Sequence, residues 1–365
     1  MSPIPPPVTN IVPAATRAWL AAHAAALDCG PEHAAAILPT LAQAGLLRLG
    51  VPPALGGKGG SVRDKVGSIA EVARESLTAA FVLWGQSAFI DYLLASANPA
   101  PRARWLPALL DGSLAGAVGL SNVMKFLSHI EPLQVRARPE GTGWRVDGLL
   151  PWVTNLRPEG FAVVLAVRAE GRAAPVVLAI DSRWPGVARS ADLDLLALRG
   201  SNTAAIVLDG VLVPGDAVLA DPGPPCLRAA RPRFLGLQCG MAIGLAQAAL
   251  DAARGPAAGG ARAVLGPRID AAAHTLQAAQ DELFEGLDDG RYEALPAPLF
   301  RLRQRFAALV QEALQLELQA TGGRAYLRDQ APAFGRRWRE SAFIPVVTPS
   351  LVQLQSELDQ HGAQQ

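Results

Sequence analysis

The sequence predicts an α+β fold, mainly helical, in which helices flank a central block of short strands. Three observations predict it. Apolar residues recur at helical spacing from residue 11 to residue 110. Between residues 114 and 220 the period drops towards two, and turn residues interrupt it at short intervals. From residue 234 long helical patterns return and run almost to the end. The 365 residues are 50% hydrophobic and 18% charged, enough to bury a core too large for one simple layer. The order divides the chain into an N-terminal helical domain over 1–113, a middle antiparallel β-barrel or sandwich over 114–220, and a C-terminal four-helix bundle over 221–365.

The elements follow from local signals. An Ala-rich helical pattern covers 11–27, and a second helix over 31–44 has Pro31 at its start and Gly45 just past its end. Helical periodicity continues over 62–75 and 77–97, and a short amphipathic helix over 102–110 stops at Asp111-Gly112. The strands are expected at 115–120, 135–138, 144–146, 161–167, 176–181, 204–208 and 211–214, with turns such as Gly141-Thr142-Gly143 and Arg199-Gly200-Ser201-Asn202 between them. Four long helices are expected over 234–254, 268–287, 299–321 and 346–360.

Composition excludes several function classes. Lys and Arg number 33 and Asp and Glu 32, so no net charge favours nucleic acid or a membrane surface. Cys29, Cys226 and Cys239 form an odd, sparse set without a CxxC, which reads as reduced thiols in a cytoplasmic protein. No HExxH or Cys/His cluster has metal spacing, and no GxSxG elbow occurs. The proline-rich start, Met1 to Pro13, lacks a basic and then apolar leader, and the apolar runs are broken before ~18 residues, so neither signal peptide nor membrane span is expected. Gly56 to Gly60 lacks the Lys-Ser/Thr of a phosphate loop and reads as a joint between helices. The spaced glycines of 236–244 read as close helix packing in the bundle.

Five local motifs occur in a telling order. They are Val51-Pro52 with Gly56-Gly57-Lys58-Gly59; Gly143-Trp144-Arg145-Val146-Asp147-Gly148 with Trp152-Val153-Thr154-Asn155; Arg199-Gly200-Ser201-Asn202-Thr203 with Asp209-Gly210-Val211-Leu212-Val213-Pro214; Arg262-Ala263-Val264-Leu265-Gly266; and Gln319-Ala320-Thr321-Gly322-Gly323. With them the chain resembles the acyl-CoA dehydrogenase superfamily of flavoproteins along nearly its whole length. The resemblance implies that superfamily's fold, a homodimer or homotetramer, and FAD as cofactor, with FMN as the other choice. It implies that Ser121 meets the flavin pyrimidine edge, that Thr154 sits beside N5, and that Trp152 packs nearby. Ser128 is a further hydroxyl for this slot. Arg262, Gln319 and Gly323 would meet the pyrophosphate and adenosine, commonly across a subunit boundary. A flat ring does require a slot with donors along one edge and an apolar face. The competing reading makes Trp152 a core anchor, and Ser121 and Thr154 plain strand-end residues.

The departures bear on the chemistry. In the superfamily a carboxylate removes the α-proton of a thioester while flavin N5 takes a hydride. Here Thr348 stands where that carboxylate is expected, and Phe234 stands at the other seat that relatives use. A Thr hydroxyl cannot take that proton at neutral pH. The loop from Ser121 to Glu131 also lacks the Gly of the superfamily pattern. Three readings follow. In the first, the chain is a monooxygenase-like flavoenzyme for a small molecule, with reduced flavin from a separate reductase and Ser121, Asn122, His129 and Thr348 as the candidate reactive groups. In the second, it is an acyl-CoA dehydrogenase with a displaced base, Glu131 or Glu340. In the third, it is a degenerate member that binds a partner without chemistry. In the second reading Glu340 competes with its own ion pairing to Arg336 or Arg337 on a helix.

Overall fold

The computed structural model describes residues 11–255 and 261–362, with the side chains of 261–263 and 361–362 outside that description. Most of the start expected to lack a leader therefore lies outside the described residues, and so does the Arg262 side chain.

Helices open the chain: α1 (Ala14–Cys29), α2 (Ala34–Gln43), α3 (Val62–Glu75), α4 (Leu77–Ala95) and α5 (Pro99–Leu110). Their starts are chemically marked. Ser61 and Asp64 form a reciprocal capping box before α3, Ser76 Oγ accepts from the Ala79 N–H before α4, and Asn98 caps α5 with Pro99 in its first turn. α4 is apolar all round because it is buried all round. By length and composition α4 and the later helix α7 (Gly223–Arg254) would pass as membrane spans, contrary to the sequence expectation. Yet 94% and 83% of their apolar windows are buried inside the protein, so they are core helices.

The middle block contains β1 (Ala115–Gly119), α6 (Ser121–Leu127), β2 (Arg136–Glu140), β3 (Gly143–Val153), β4 (Phe161–Ala169), β5 (Val176–Asp181), β6 (Val187–Arg189), β7 (Ala204–Val213) and β8 (Val218–Ala220). The strands follow the order β6-β7-β3-β2-β4-β5-β8, with β1 beside β4. The sheet is open rather than a closed barrel, and it is not purely antiparallel: β4 pairs in parallel with β1 and with the start of β2. Two Asp-Gly pairs that read locally as turns are irregularities inside long strands instead. β3 passes straight through Asp147-Gly148, where the register against β7 shifts, and β7 passes through Asp209-Gly210, so the two strands expected there are one. The Asp147 carboxylate accepts the Gly210 N–H at 2.6 Å, holding the two irregular sites together. The segment after β1, expected as a loop, is α6.

The C-terminal part contains α7, α8 (Ala261–Asp288), the single turn α9 (Arg291–Ala294), α10 (Ala297–Thr321), α11 (Pro332–Ser341) and α12 (Leu351–Gly362). α7, α8 and α10 pack on one another and α12 lies on α10, as a bundle requires. α11 is not one of the four long helices expected, although it carries the helical Arg336–Glu340 spacing read from the sequence, and the last helix begins five residues later than its periodicity suggests, because Pro349 has no N–H to give. The spaced glycines of α7 do serve close packing, but against two partners. A Cβ on Gly236 would meet the Leu287 side chain of α8 at 2.9 Å. On Gly240 and Gly244 it would meet backbone oxygens of α3, Val66 at 2.8 Å and Ala70 at 2.1 Å. The first and last helical segments therefore share one interior.

Gly244→Val should separate α3 from α7 and cost about 2–4 kcal/mol of unfolding free energy. Gly335→Ala, in an uncrowded turn of α11, should instead stabilise by about 0.5–1 kcal/mol. Urea melts of both variants check the pair.

Candidate active site

A cavity of about 630 Å³ opens between the middle sheet and the helices. Its size falls within the ~300–1,000 Å³ of ordinary small-molecule sites. The floor is Val118, Leu120 and Ser121 from the end of β1 and the start of α6, then Trp152 and Thr154 from the end of β3. The opposite wall is Phe81 and Trp84 of α4, Phe234 of α7, and the segment from Ala342 to Ser350 between α11 and α12. At the mouth three apolar side chains are open to solvent: Trp152 at 60%, Leu196 at 72% and Val346 at 63%. An exposed cluster of this kind is a surface waiting to be covered, and Trp152 is no core anchor.

The floor is held by buried amides. Gln86 of α4 accepts the Gly116 N–H at 2.6 Å and donates to the carbonyls of Leu109 and Leu114. Asn155 donates to the Gly116 carbonyl at 2.9 Å and to the Gln86 oxygen at 3.0 Å. The Arg199-Gly200-Ser201 turn holds the neighbouring residue. The Ser201 carbonyl accepts the Asn155 N–H at 3.0 Å and the Thr154 hydroxyl at 3.3 Å. Thr154, which lines the cavity, thereby has its hydroxyl proton held by the turn.

The opposite wall is pinned from behind. Gln238 of α7 donates to the Thr348 carbonyl at 2.7 Å, and the fully buried Arg303 of α10 donates to the Ile344 carbonyl at 2.6 Å. Burial depresses the Arg303 pKa from its usual value. Thr348 then reaches across to Ser121, hydroxyl to hydroxyl, at 3.0 Å. Such a pair uses one O–H on itself and keeps the other proton free to donate. Thr348 and Phe234, the two positions where a base was sought, line the same cavity.

Charge at the wall is cationic. Lys125 and Arg339 line the cavity, and no Asp, Glu or His among the described residues does. The carboxylates that pair with these cations sit behind the lining: Glu131 for Lys125 at 3.3 Å, and the buried Asp28 for Arg339 at 2.5 Å. Asp28 also accepts the Leu198 N–H at 3.1 Å, tying α1 to two cavity-lining residues. Glu131 and Glu340, the displaced-base candidates, both fall outside the lining. Glu340 is buried against the start of α4, where it accepts from the Leu77 N–H at 3.3 Å and pairs with Arg336 at 3.2 Å. Arg337 pairs elsewhere, with Glu317. Burial pushes Glu340 up to about 7, against the opposing pull of Arg336.

Other sequence candidates are not brought together. The Asn122 side chain is spent on structure: its amide donates to Glu131 and to the Pro132 carbonyl, and its oxygen accepts the Gln134 N–H. His129 is exposed and outside the cavity, held at φ 56 by the turn that ends α6. Ser128 is buried, but it bonds Met124 and Glu357 on the far side of α6. These three expectations came from reading the segment as a loop: α6 presents Ser121, Met124 and Lys125 to the cavity, three and four residues apart, which turns Asn122 away, while Ser128 and His129 follow the helix end. Gln319 and Gly323 lie on exposed surface at the end of α10, with Gln319 accepting from Arg268 at 3.3 Å. Sequence reasoning missed Gln86, Gln238 and Arg303, because a polar residue in an apolar helical run carries no local sign of what it will bond.

Comparisons with known proteins follow this geometry. Residues 11–113 match the family model described as acyl-CoA dehydrogenase, N-terminal domain. Over 214 residues the chain is 27% identical to the mitochondrial short-chain specific acyl-CoA dehydrogenase of Homo sapiens, covering 57% of this chain and 52% of that protein. The chain thus spans about half the length of the curated relatives it matches. Among solved structures, the glutaryl-coenzyme A dehydrogenase–glutaryl-CoA complex aligns with a TM-score of 0.83 at 19% identity, covering 95% of this chain and 93% of that one. KijD3, solved with FMN and a dTDP-linked amino sugar, aligns with a TM-score of 0.81 at 22% identity, covering 99% and 95%.

The position of Glu340 has a consequence for stability against pH. Its folded pKa, about 7, lies above the unfolded 4.5, so the folded chain holds its proton longer. Stability should therefore fall as pH rises from about 4.5 to about 7. Glu340→Gln should flatten that slope, by at most about 3 kcal/mol. Urea midpoints of both proteins at pH 5 and pH 7.5 measure it, and parallel pH profiles would remove the argument.

Proposed function

We propose that this chain, a member of the acyl-CoA dehydrogenase superfamily, is a flavin-dependent oxidoreductase that works without a carboxylate base, oxidising or oxygenating a small molecule. The single observation that carries the reading is the cavity wall itself. Thr348 of the wall and Ser121 of the floor meet as a hydroxyl pair, and no carboxylate lines the cavity among the described residues.

The residues present fit a flavin. The exposed Trp152 offers an indole face that a flat ring would cover, and Thr154 lines the same space. The rest of the wall is largely apolar, built from Phe81, Trp84, Phe234 and Phe343. Bound flavin would supply the redox step, two electrons exchanged with a substrate or with dioxygen. The chain supplies the rest. Trp152 would pack on a bound ring, the Ser121–Thr348 hydroxyl pair can donate or accept a hydrogen bond within the cavity, and the aromatic wall would exclude water. FAD and FMN both remain compatible with the floor described here. Solved structures of this fold hold FMN with a dTDP-linked amino sugar in one case and glutaryl-CoA in another, so the fold alone does not choose between the readings.

Thioester dehydrogenation is the second reading, and Glu340 is what favours it, since its pKa of about 7 suits a base. Its side chain is engaged at the start of α4, away from the cavity lining. A misplaced base loses orders of magnitude in rate.

Purified protein should turn yellow with FAD or FMN, and Trp152→Ala should retain flavin at least about tenfold more weakly, the loss of one aromatic stack. Butyryl-CoA under argon should leave the bound flavin unbleached. Bleaching at a rate of turnover would establish the thioester reading instead. Protein that stays colourless with both flavins would mark a binding protein without redox chemistry.

A further inference from the structure

Two cations line the cavity, and they are held differently. Arg339 is committed. Its Nε and Nη2 both donate to the Asp28 carboxylate, at 3.2 and 2.5 Å, and the Asp28 side chain is fully buried. Lys125 is held loosely. Its ammonium donates to Glu131 at 3.3 Å, across a pair whose side chains are 34% and 26% exposed. That bond uses one of the three ammonium N–H groups. A pair so open to solvent is weak, and the four-carbon Lys stem is flexible, so the ammonium can turn to a second anion at little cost. Glu131 is tethered independently, because the Asn122 amide donates to its other oxygen at 2.8 Å.

The place of Lys125 on α6 narrows the ligand. It follows Ser121 by four residues, one turn along the same face of the helix, and both line the cavity. Ser121 bonds Thr348 at 3.0 Å, and that pair keeps one O–H proton free to donate. One edge of the cavity therefore carries positive charge and hydroxyl donors. Elsewhere the wall is a continuous aromatic surface. Phe81 stacks on Trp84 with 5.5 Å between ring centres, Trp84 meets Phe234 at 5.0 Å, and Phe81 meets Phe343 at 4.5 Å. Beside such a wall, with no carboxylate among the described lining residues, a cation attracts an anion more strongly than it does in water. We infer that the substrate of this cavity is a small organic anion, an apolar body with a carboxylate, and that Lys125 receives the carboxylate. The inference rests on the flavin reading above, which gives the Trp152–Thr154 side to the ring and this edge to the substrate. The phosphate of FMN or FAD is the other anion that could meet the ammonium, so the test separates the two.

Two substitutions of opposite sign test it. Lys125→Met removes the charge and keeps the stem. Glu131→Gln removes the competing carboxylate and keeps an oxygen for Asn122. Calorimetric titration of the flavin-loaded protein uses phenylacetate, phenylacetamide, phenethyl alcohol and phenethylamine as probes, and separate titrations compare FMN with riboflavin, which lacks the phosphate. Wild-type protein should bind phenylacetate about tenfold or more tighter than phenethylamine. In K125M phenylacetate should weaken about tenfold, while the two neutral probes change less than about twofold. In E131Q phenylacetate should tighten about threefold. Lys125→Arg should keep most of the wild-type affinity for phenylacetate. All four probes weakening together in K125M would mean a structural role and overturn the inference, and so would E131Q protein that binds phenylacetate no tighter. A K125M protein that loses affinity for FMN but not for riboflavin, with the order of the probes unchanged, would assign the ammonium to the cofactor phosphate and overturn it too. Should K125M fail to fold, Lys125→Gln carries the same comparison. A wild-type protein that takes up flavin but shows no preference for phenylacetate sinks this inference and leaves the flavin reading standing. One that takes up no flavin sinks both.

Discussion

The buried junction of Gln86, Gly116 and Asn155 is the constraint on which the site depends. Each amide has its hydrogen-bonding capacity directed at backbone or at the other amide. An apolar side chain at Gln86 would strand a strand N–H and two carbonyls in the interior, where unpaired groups are costly. Gly116 leaves no room for substitution, since a Cβ there would approach Phe89 to 2.8 Å. Asn155 adopts φ 61, a conformation Asn tolerates better than most residues. Ser121 leaves the same strand end five residues on, and Thr154 is the neighbour of Asn155. One junction therefore sets the spacing of both hydroxyls on the cavity floor.

The opposite wall obeys a different rule. It is a non-helical segment between α11 and α12, and such segments wander unless held. Here Gln238 and Arg303 hold two of its carbonyls from inside the bundle. This segment carries the residues on which the proposed chemistry rests. The segment brings Thr348 to Ser121, and the nearby carboxylates pair behind the lining with Lys125, Arg339 and Arg336. The fold is common to proteins whose structures hold a thioester and a sugar nucleotide, so the reaction must be argued from the wall rather than from the fold.

Much of the fold was legible in the sequence. Helix, strand and helix blocks fall where periodicity puts them, because amphipathic spacing and caps are local properties. Ser121, Trp152, Thr154 and Thr348, singled out by motif and by departure from motif, do line one cavity. What failed was also local reasoning. Asp147-Gly148 and Asp209-Gly210 carry turn chemistry, but strand pairing over more than sixty residues of separation makes them irregularities in long strands. β6 and β8, three residues each, are too short to leave a period. The loop reading of 121–131 misplaced Asn122, Ser128 and His129.

The sequence by itself determined the order of elements, the apolar cores of α4 and α7, and the absence of an acid at position 348. Tertiary structure alone decided which polar atoms are paired and which are left open. Ser121 and Thr348 meet across 227 residues, Gln86 and Asn155 across 69, and Leu198 reaches Asp28 across 170. A hydrogen-bond partner is a matter of position in space, and no spacing along the chain records it.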